Sequence, residues 1–370
     1  AENTMSGRAS FRAPLYLCGL LLIGLATLAF FWEQKDVRNA RNFVRFSPQD
    51  AEDILYNEGL RQSLPTSATN AERLQRGQRA MKELRVLIAG LLGPNDLCAF
   101  QRLRPQLDDL AKRFRESDYV VLAPNNMIKQ MAVAEDGFLR DLHEWRLQDT
   151  GRRRIISEAP SVEDWNPVWD YSCDPTCGDS RGRCARCVRF RRLGALRNQL
   201  LKQAKAINPD VLLLVDLDLW AVDIDGIADS FGREEKWNMM CSNGVYLHGL
   251  YWDTTAFRLP DGTRPPRLEI QSRHDKAGRE GSLLPLASCF GGLGLYHLSA
   301  AQDCSYMSEW PSSEYMKECE HVGFNSCIHE KSGGVYSNPV MKVYYGPHHA
   351  RRSIFPDYQP DWWCEPAEQS

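Results

Sequence analysis

The stretch that most constrains this chain is residues 211–225, V-L-L-L-V-D-L-D-L-W-A-V-D-I-D. Its first five residues follow the turn pair Asn208-Pro209, show no helical period and stop at Asp216. Such a run reads as a strand buried on both faces. Asp216 and Asp218 stand at its carboxyl end. Because strand side chains alternate, residues two apart project to one side, so both carboxylates converge on the crevice beyond the strand end, where open α/β sheets bind ligands. Paired carboxylates there invite a hard divalent cation, Mg²⁺ or Mn²⁺, shared with a substrate's phosphates, which predicts a nucleotide-diphosphate site. The second pair, Asp223 and Asp225, has no apolar run of its own and reads as the cap of a helix beginning near Gly226.

A buried strand needs neighbours, and the chain before it supplies them. Residues 84–95, L-R-V-L-I-A-G-L-L-G-P-N, read as a first buried strand turning at Gly93-Pro94-Asn95. An amphipathic helix follows over 103–115, with Leu107, Leu110 and Phe114 on one face; then come a strand over 119–122 ending at A-P-N-N, a helix over 138–147 and a short strand over 154–156. Strands alternating with helices imply an α/β fold with a mainly parallel, right-handed sheet and flanking helices. Residues 189–207 form a helix with Leu193, Leu196, Leu200, Leu201 and Ala204 on its apolar side, feeding straight into the Asp-bearing strand. Arg192 and Arg197 lie near its beginning; each reads either as a diphosphate ligand or as part of a solvated basic face.

Between these elements, residues 171–188 carry Cys173, Cys177, Cys184 and Cys187. The spacing suits a tetrahedral zinc site or two disulfides, and either makes a stapled insertion rather than a catalytic centre. Beyond residue 225 the pattern gives a strand over 237–241, an aromatic-rich segment and a polar stretch, 264–280, expected to be a mobile loop. The segment C-F-G-G-L-G-L-Y-H-L follows, whose glycines permit close backbone approach to a ligand. A last β segment precedes His348 and His349.

Residues 1–83 have a different character. No charge occurs from Ala13 to Trp32, and an apolar run of that length just spans a bilayer, with Tyr16 and Trp32 near the interfaces. This predicts a membrane anchor over 13–32 behind a cytoplasmic tail of 1–12; a cleaved signal peptide is the alternative. Two polar helices follow within 33–83, either a stem or elements packed on the body. The body itself is expected over 84–352, with 353–370 as an extension pinned through Cys364. Basic residues flank both ends of the apolar run, so charge does not favour a lumenal body. Cysteine usage does: of twelve cysteines, all but Cys18 lie outside the anchor, which suits an oxidising compartment and places the body in the secretory lumen, the Golgi membrane being the expected site. A formal net charge of −3 excludes a general nucleic-acid binder.

An anchor and stem, an opening V-L-I-A strand, a helix ending L-R-N-Q-L-L and then V-L-L-L-V-D-L-D together resemble type II membrane glycosyltransferases of the GT-A (Rossmann-like) fold. With Y-W-D-T-T-A-F-R, F-G-G-L-G-L-Y and C-E-H-V-G-F-N added, the set is similar in its motifs to the capsule-associated α-mannosyltransferases of fungi and to mannan-polymerase subunits. The likeness covers residues 84–351 and leaves the stem and the four-cysteine insertion unmatched. It implies transfer of a hexose, with mannose favoured, from GDP-mannose or a UDP-sugar to a glycan or glycoprotein acceptor.

The resemblance also implies roles. Asp216 would contact ribose or metal, and Asp218 would ligate Mn²⁺ on the two phosphates. His348 or His349 would complete the metal shell, and Arg197 with Asn198 would face the donor. Glu320 would be the base of an inverting enzyme; in a retaining one Glu320 and His321 would position the acceptor. Trp252, Asp253, Tyr306 and Trp310 are acceptor contacts on this reading, and the two tryptophans read equally well as core. Two other classes compete. Aspartate-nucleophile phosphatases also place D-x-D at a strand end, but Trp220 stands where they carry Thr or Val, and more than a hundred residues of α/β pattern precede the motif here. A non-catalytic lumenal carbohydrate-binding or scaffold protein would lack a metal-nucleotide site.

Overall fold

The computed structural model describes residues 68–93, 96–135, 137–148, 151–157, 183–246, 250–306 and 319–346. The expected anchor, the insertion up to residue 182, Trp310, His348, His349 and the carboxyl extension lie outside them. In chain order the elements are α1 (Ala68–Met81), β1 (Arg85–Leu91), α2 (Leu97–Ala111), β2 (Glu116–Ala123), α3 (Asn125–Met131), α4 (Gly137–Leu147), β3 (Arg153–Ser157), α5 (Arg183–Ile207), β4 (Val211–Val215) and β5 (Leu219–Val222). They continue with α6 (Ile224–Phe231), β6 (Met239–Tyr246), β7 (Leu250–Tyr251), α7 (Arg267–Glu280), β8 (Leu284–Pro285), β9 (Leu293–His297), α8 (Leu298–Ala301), α9 (Glu320–Ser332) and β10 (Val335–Tyr345). Among the described residues no helix is long and apolar enough to cross a membrane.

The strands form one sheet in the order β3-β2-β1-β4-β9-β6-β10-β5, with β7 on β6 and β8 on β10. From β3 to β4 every pairing is parallel. Beyond β4 only β6 with β10 is parallel, so the sheet is mixed, as the GT-A resemblance implies, but parallel pairings do not predominate in it. The change comes at β9, which returns antiparallel to both β4 and β6. All five residues of β4 are buried, as its unbroken aliphatic run requires. Val211, Leu213 and Val215 feed the core under α2 and α6, whereas Leu212 and Leu214 feed the core under α5 and α9. The chain therefore winds outward from β1 across one face and returns to β4 across the other. The strand order reverses between β1 and β4, which opens a crevice at their carboxyl ends.

The sheet is also strongly curled. Laid flat, β4 and β5 would lie four strand spacings apart, about 19 Å, yet Asp216, Leu217 and Asp218 alone join them, a link of about 15 Å at full stretch. Strand β10 is irregular: its register against β6 shifts between Asn338 and Lys342, where Pro339 has no N–H to give the ladder.

Several boundaries differ from the sequence reading for local reasons. The polar stretch 264–280 is a helix, not a loop, from Arg267 on. It buries Ile270, His274 and Ala277, carries the ion pairs Glu269–Arg273 and Lys276–Glu280, and ends at Gly281 with φ 66°. One of its inward positions is a histidine, which hid the apolar face. The insertion is likewise not all loop, since α5 begins at Arg183 and places Cys184 and Cys187 on a helix. Strand β5 and helix α3 had no counterpart in the pattern. Of the two placements left open for the polar helix before the body, α1 takes the packed one. A Cβ at Gly77 would stand 1.7 Å from the Ala228 carbonyl of α6, and Arg73 pairs with the fully buried Asp229, which Arg233 binds from the other side at 2.9 Å.

Candidate active site at the end of the central strand

β4 ends where the crevice opens. The Asp216 N–H donates to the Gly292 carbonyl at 2.8 Å. Asp216, Leu217 and Asp218 then leave the strand as a turn instead of continuing its alternation, so tertiary packing rather than strand pleat aims the two carboxylates. Both are half-buried. Asp223 caps α6 by accepting from the Gly226 N–H at 2.9 Å, and Asp225 is exposed, as expected for the second pair.

Behind Asp216 lies a buried charge. The Arg197 side chain, 8% exposed, donates from Nη2 to Asp216 Oδ1 at 3.1 Å, and its Nη1 contacts Glu320 Oε1. Its guanidinium also lies over the Phe290 ring, 5.1 Å from the centroid. Burial is the largest single influence and works against the charged guanidinium, but Asp216 together with Tyr306, Cys319 and Tyr296 more than offsets it and holds the pKa above the ordinary value. Glu320 opens α9, where a carboxylate is favoured by the helix dipole, and is 2% exposed. The Cys319 thiol donates to its Oε2 at 3.3 Å, and His321 Nε2 is 3.8 Å from its Oε1.

His321 stacks on Phe290 with ring centroids 3.7 Å apart, and neither of its ring nitrogens finds a hydrogen bond among the described residues. Burial and then Arg197 push its pKa well below the usual histidine range, so the ring is neutral. The carboxamide of Asn198, next along α5, is committed to main chain: Nδ2 donates to the Tyr306 carbonyl at 2.5 Å and Oδ1 accepts from the Tyr306 N–H at 2.8 Å. Tyr306, expected as an acceptor contact, is 1% exposed and stacks on Phe324 at 4.3 Å, which places it in the core. Arg192 is half-buried on the same helix. Five residues turn an α-helix about 140° past full circle, so it faces away from Arg197.

The opposite wall comes from β7, β9 and the end of β10. Asp253 accepts from Thr255 Oγ1 at 2.8 Å and from the Gly291 N–H at 3.3 Å. Trp252 is in ring contact with Tyr246 at 4.7 Å and Tyr345 at 5.8 Å, with the Arg267 guanidinium over it at 5.7 Å. Tyr345 was not singled out in the sequence, where it is one more residue of a β run. Burial raises its pKa well above the usual phenol value, and Asp216, Asp253 and Asp218 raise it further in that order. Three carboxylates thus act electrostatically on one neutral phenol. The glycines here serve the protein's own close contacts rather than a ligand's: Gly291, at φ 65°, would place a Cβ 2.3 Å from the Ser242 carbonyl, and Gly292, at φ 91°, would place one 2.7 Å from the Tyr345 hydroxyl. The disulfide Cys241–Cys289 ties β6 to the segment bearing Phe290, and Cys304–Cys327 ties the Tyr306 segment to α9.

The donor set around Tyr345 is all oxygen, which suits Mg²⁺ or Mn²⁺ rather than a soft metal. Among the described residues no three His, Cys, Asp or Glu side chains stand close enough to enclose a metal by themselves. Such a site fits a cation completed by substrate phosphates.

Comparison with known proteins adds little to this geometry. No family model matches the sequence, and no curated protein does. Similar solved structures include S. aureus TarS 1-349, 13% identical over 73% of this chain with a TM-score of 0.39; the match spans 63% of the TarS chain. The mannosyltransferase PcManGT from Pyrobaculum calidifontis, in complex with GDP-Man and Mn²⁺, is 11% identical over 80% of this chain and 74% of its own, with a TM-score of 0.37. Glucosyl-3-phosphoglycerate synthase from Mycobacterium tuberculosis, in complex with Mn²⁺, UDP and phosphoglyceric acid, is 12% identical over 74% and 72%, with a TM-score of 0.34. Likenesses at this level fix neither the function nor the site of this chain.

Proposed function

We propose that this chain is a glycosyltransferase that moves a hexose, mannose favoured, from GDP-mannose or a UDP-sugar to a hydroxyl of a glycan or glycoprotein. The reading rests on one observation: a strand buried along its whole length delivers Asp216 and Asp218 to the crevice where the strand order reverses. Asp218, with Asp216, would hold Mn²⁺ or Mg²⁺ on the diphosphate, and His348 or His349 remains the proposed further ligand. When bound, such a cation neutralises the departing diphosphate as a Lewis acid.

The chain's own groups divide the remaining work. Tyr345 stays protonated among the carboxylates and so offers a hydrogen-bond donor. Asp253, half-buried, is the carboxylate we assign to the acceptor side, with Trp252 and Trp310 as further acceptor contacts. Glu320 is held by Arg197 and the Cys319 thiol. A general base must come within hydrogen-bond reach of the acceptor hydroxyl, so Glu320 in this arrangement supports the site from behind. The two disulfides favour an oxidising compartment, in keeping with a Golgi lumenal body anchored through residues 13–32. Protease digestion of the body in sealed microsomes would overturn that placement.

The test is a thermal-shift screen of the purified chain against GDP-mannose and UDP-sugars, with and without Mn²⁺. Stabilisation rises with ligand concentration over Kd, so the donor should raise Tm only when Mn²⁺ is present. Asp218→Ala should lose that shift and all Mn²⁺-dependent transfer while keeping its apo Tm. No shift with any nucleotide would overturn the reading in favour of a carbohydrate-binding scaffold.

A further inference from the structure

We propose that the buried Arg197–Glu320 ion pair sets the affinity of Asp216 for a divalent cation, Arg197 weakening it and Glu320 strengthening it. This rests on the reading that Asp216 and Asp218 hold a cation. It gives Arg197 a different part from that of a diphosphate ligand, and Glu320 a different part from that of a base.

The geometry is a row of charges. Asp216 is half-buried, Arg197 Nη2 stands 3.1 Å behind it, and Glu320 contacts the other terminal nitrogen, Nη1. The Arg197 side chain is buried between its ion-pair partners Asp216 and Glu320, with Phe290 against its face. The flanking groups bring no charge: burial pushes the Cys319 thiol up to about 12, and His321 is neutral. With Glu320 2% exposed, little water screens the pair.

A cation arriving at Asp216 therefore meets a fixed dipole whose positive end is nearer. Removing the arginine removes a repulsion, and this holds whether or not the orphaned Glu320 then takes up a proton. Removing the glutamate leaves the full positive charge against Asp216. The two variants must move cation affinity in opposite directions. A pair that merely braced the backbone would weaken binding whichever partner was lost.

The experiment is titration of the full-length chain with Mn²⁺, following the electron paramagnetic resonance of the free ion, alone and with GDP or UDP. Arg197→Gln should tighten Mn²⁺ binding and Glu320→Gln should weaken it, each on the order of tenfold, and the double variant should fall between them. Arg197→Lys keeps the charge and should stay near wild type, and circular dichroism checks that each variant is folded. Should Arg197→Gln not fold alone, the double variant carries the comparison: binding tighter than in Glu320→Gln supports the proposal, and binding no tighter than in Glu320→Gln overturns it. Weaker binding in both glutamine variants, or Glu320→Gln unchanged, would overturn the proposal. A wild-type chain that binds no Mn²⁺ under either condition, or an Asp218→Ala chain that binds it equally well, would instead overturn the functional reading and this inference with it.

Discussion

The two disulfides offer a perturbation whose size follows from the topology. Cys241–Cys289 closes a separation of 48 residues and Cys304–Cys327 one of 23. In the chain-entropy account a cross-link stabilises by restricting the unfolded ensemble, which gives about 4 kcal/mol for the longer loop and about 3.4 kcal/mol for the shorter. Against a net stability of about 5–15 kcal/mol for a typical domain, either loss is severe. We expect the double variant Cys241→Ala/Cys289→Ala to lose about 4 kcal/mol in urea unfolding followed by tryptophan fluorescence. Cys304→Ser/Cys327→Ser should lose about 0.6 kcal/mol less. Both should show a steeper urea dependence, because the freed unfolded chain exposes more surface. Accessibility adds a kinetic prediction. Cys241 and Cys289 are fully buried, whereas Cys327 is half-exposed, so mild dithiothreitol should open Cys304–Cys327 first. A loss below about 1 kcal/mol from both pairs would refute the loop-closure reasoning. So would a larger loss from the shorter loop.

Two further outcomes follow from buried charge and burial of a titrating ring. Asp229→Asn leaves Arg233, with a side chain 3% exposed, and Arg73 without their buried counter-charge; breaking one partner of a buried pair costs about 3–5 kcal/mol, and a loss under about 1 kcal/mol in urea would show that the cluster is dispensable. His274 bonds the Ile270 carbonyl and the Ser337 hydroxyl, and burial lowers its pKa from 6.5 to about 4. The unfolded chain therefore takes up this proton at higher pH than the folded one. Stability from this group is complete above pH 6.5 and falls as pH drops from there to about 4, with about 2 kcal/mol lost by pH 5. His274→Gln removes that slope, and an unchanged difference from wild type between pH 7 and pH 5 would refute the assignment.

The sequence by itself determined the elements whose causes are local. Five consecutive aliphatic residues bounded by Asn208-Pro209 and Asp216 read as a strand buried on both faces, and the helix feeding it shows its apolar side in Leu196, Leu200 and Ala204. Asp223 was legible as a cap because capping depends on a residue and the next three. Where an inward position is polar, as at His274 in α7, the same pattern fails and a helix passes for a loop. What only the tertiary structure decided is how the charges pair and which way the sheet runs. Arg197, Asp216 and Glu320 sit on a helix, a turn and a second helix that are far apart in the chain. Ion pairs form through space, and no spacing in the sequence encodes which carboxylate an arginine will meet. Strand order is undetermined for the same reason: β9 and β10 complete the site by lying beside strands that precede them by many residues. The D-x-D pair was legible as a pair of carboxylates, but the direction they face belongs to a turn held by Gly292, and the charge behind them belongs to the packing of α5 on α9.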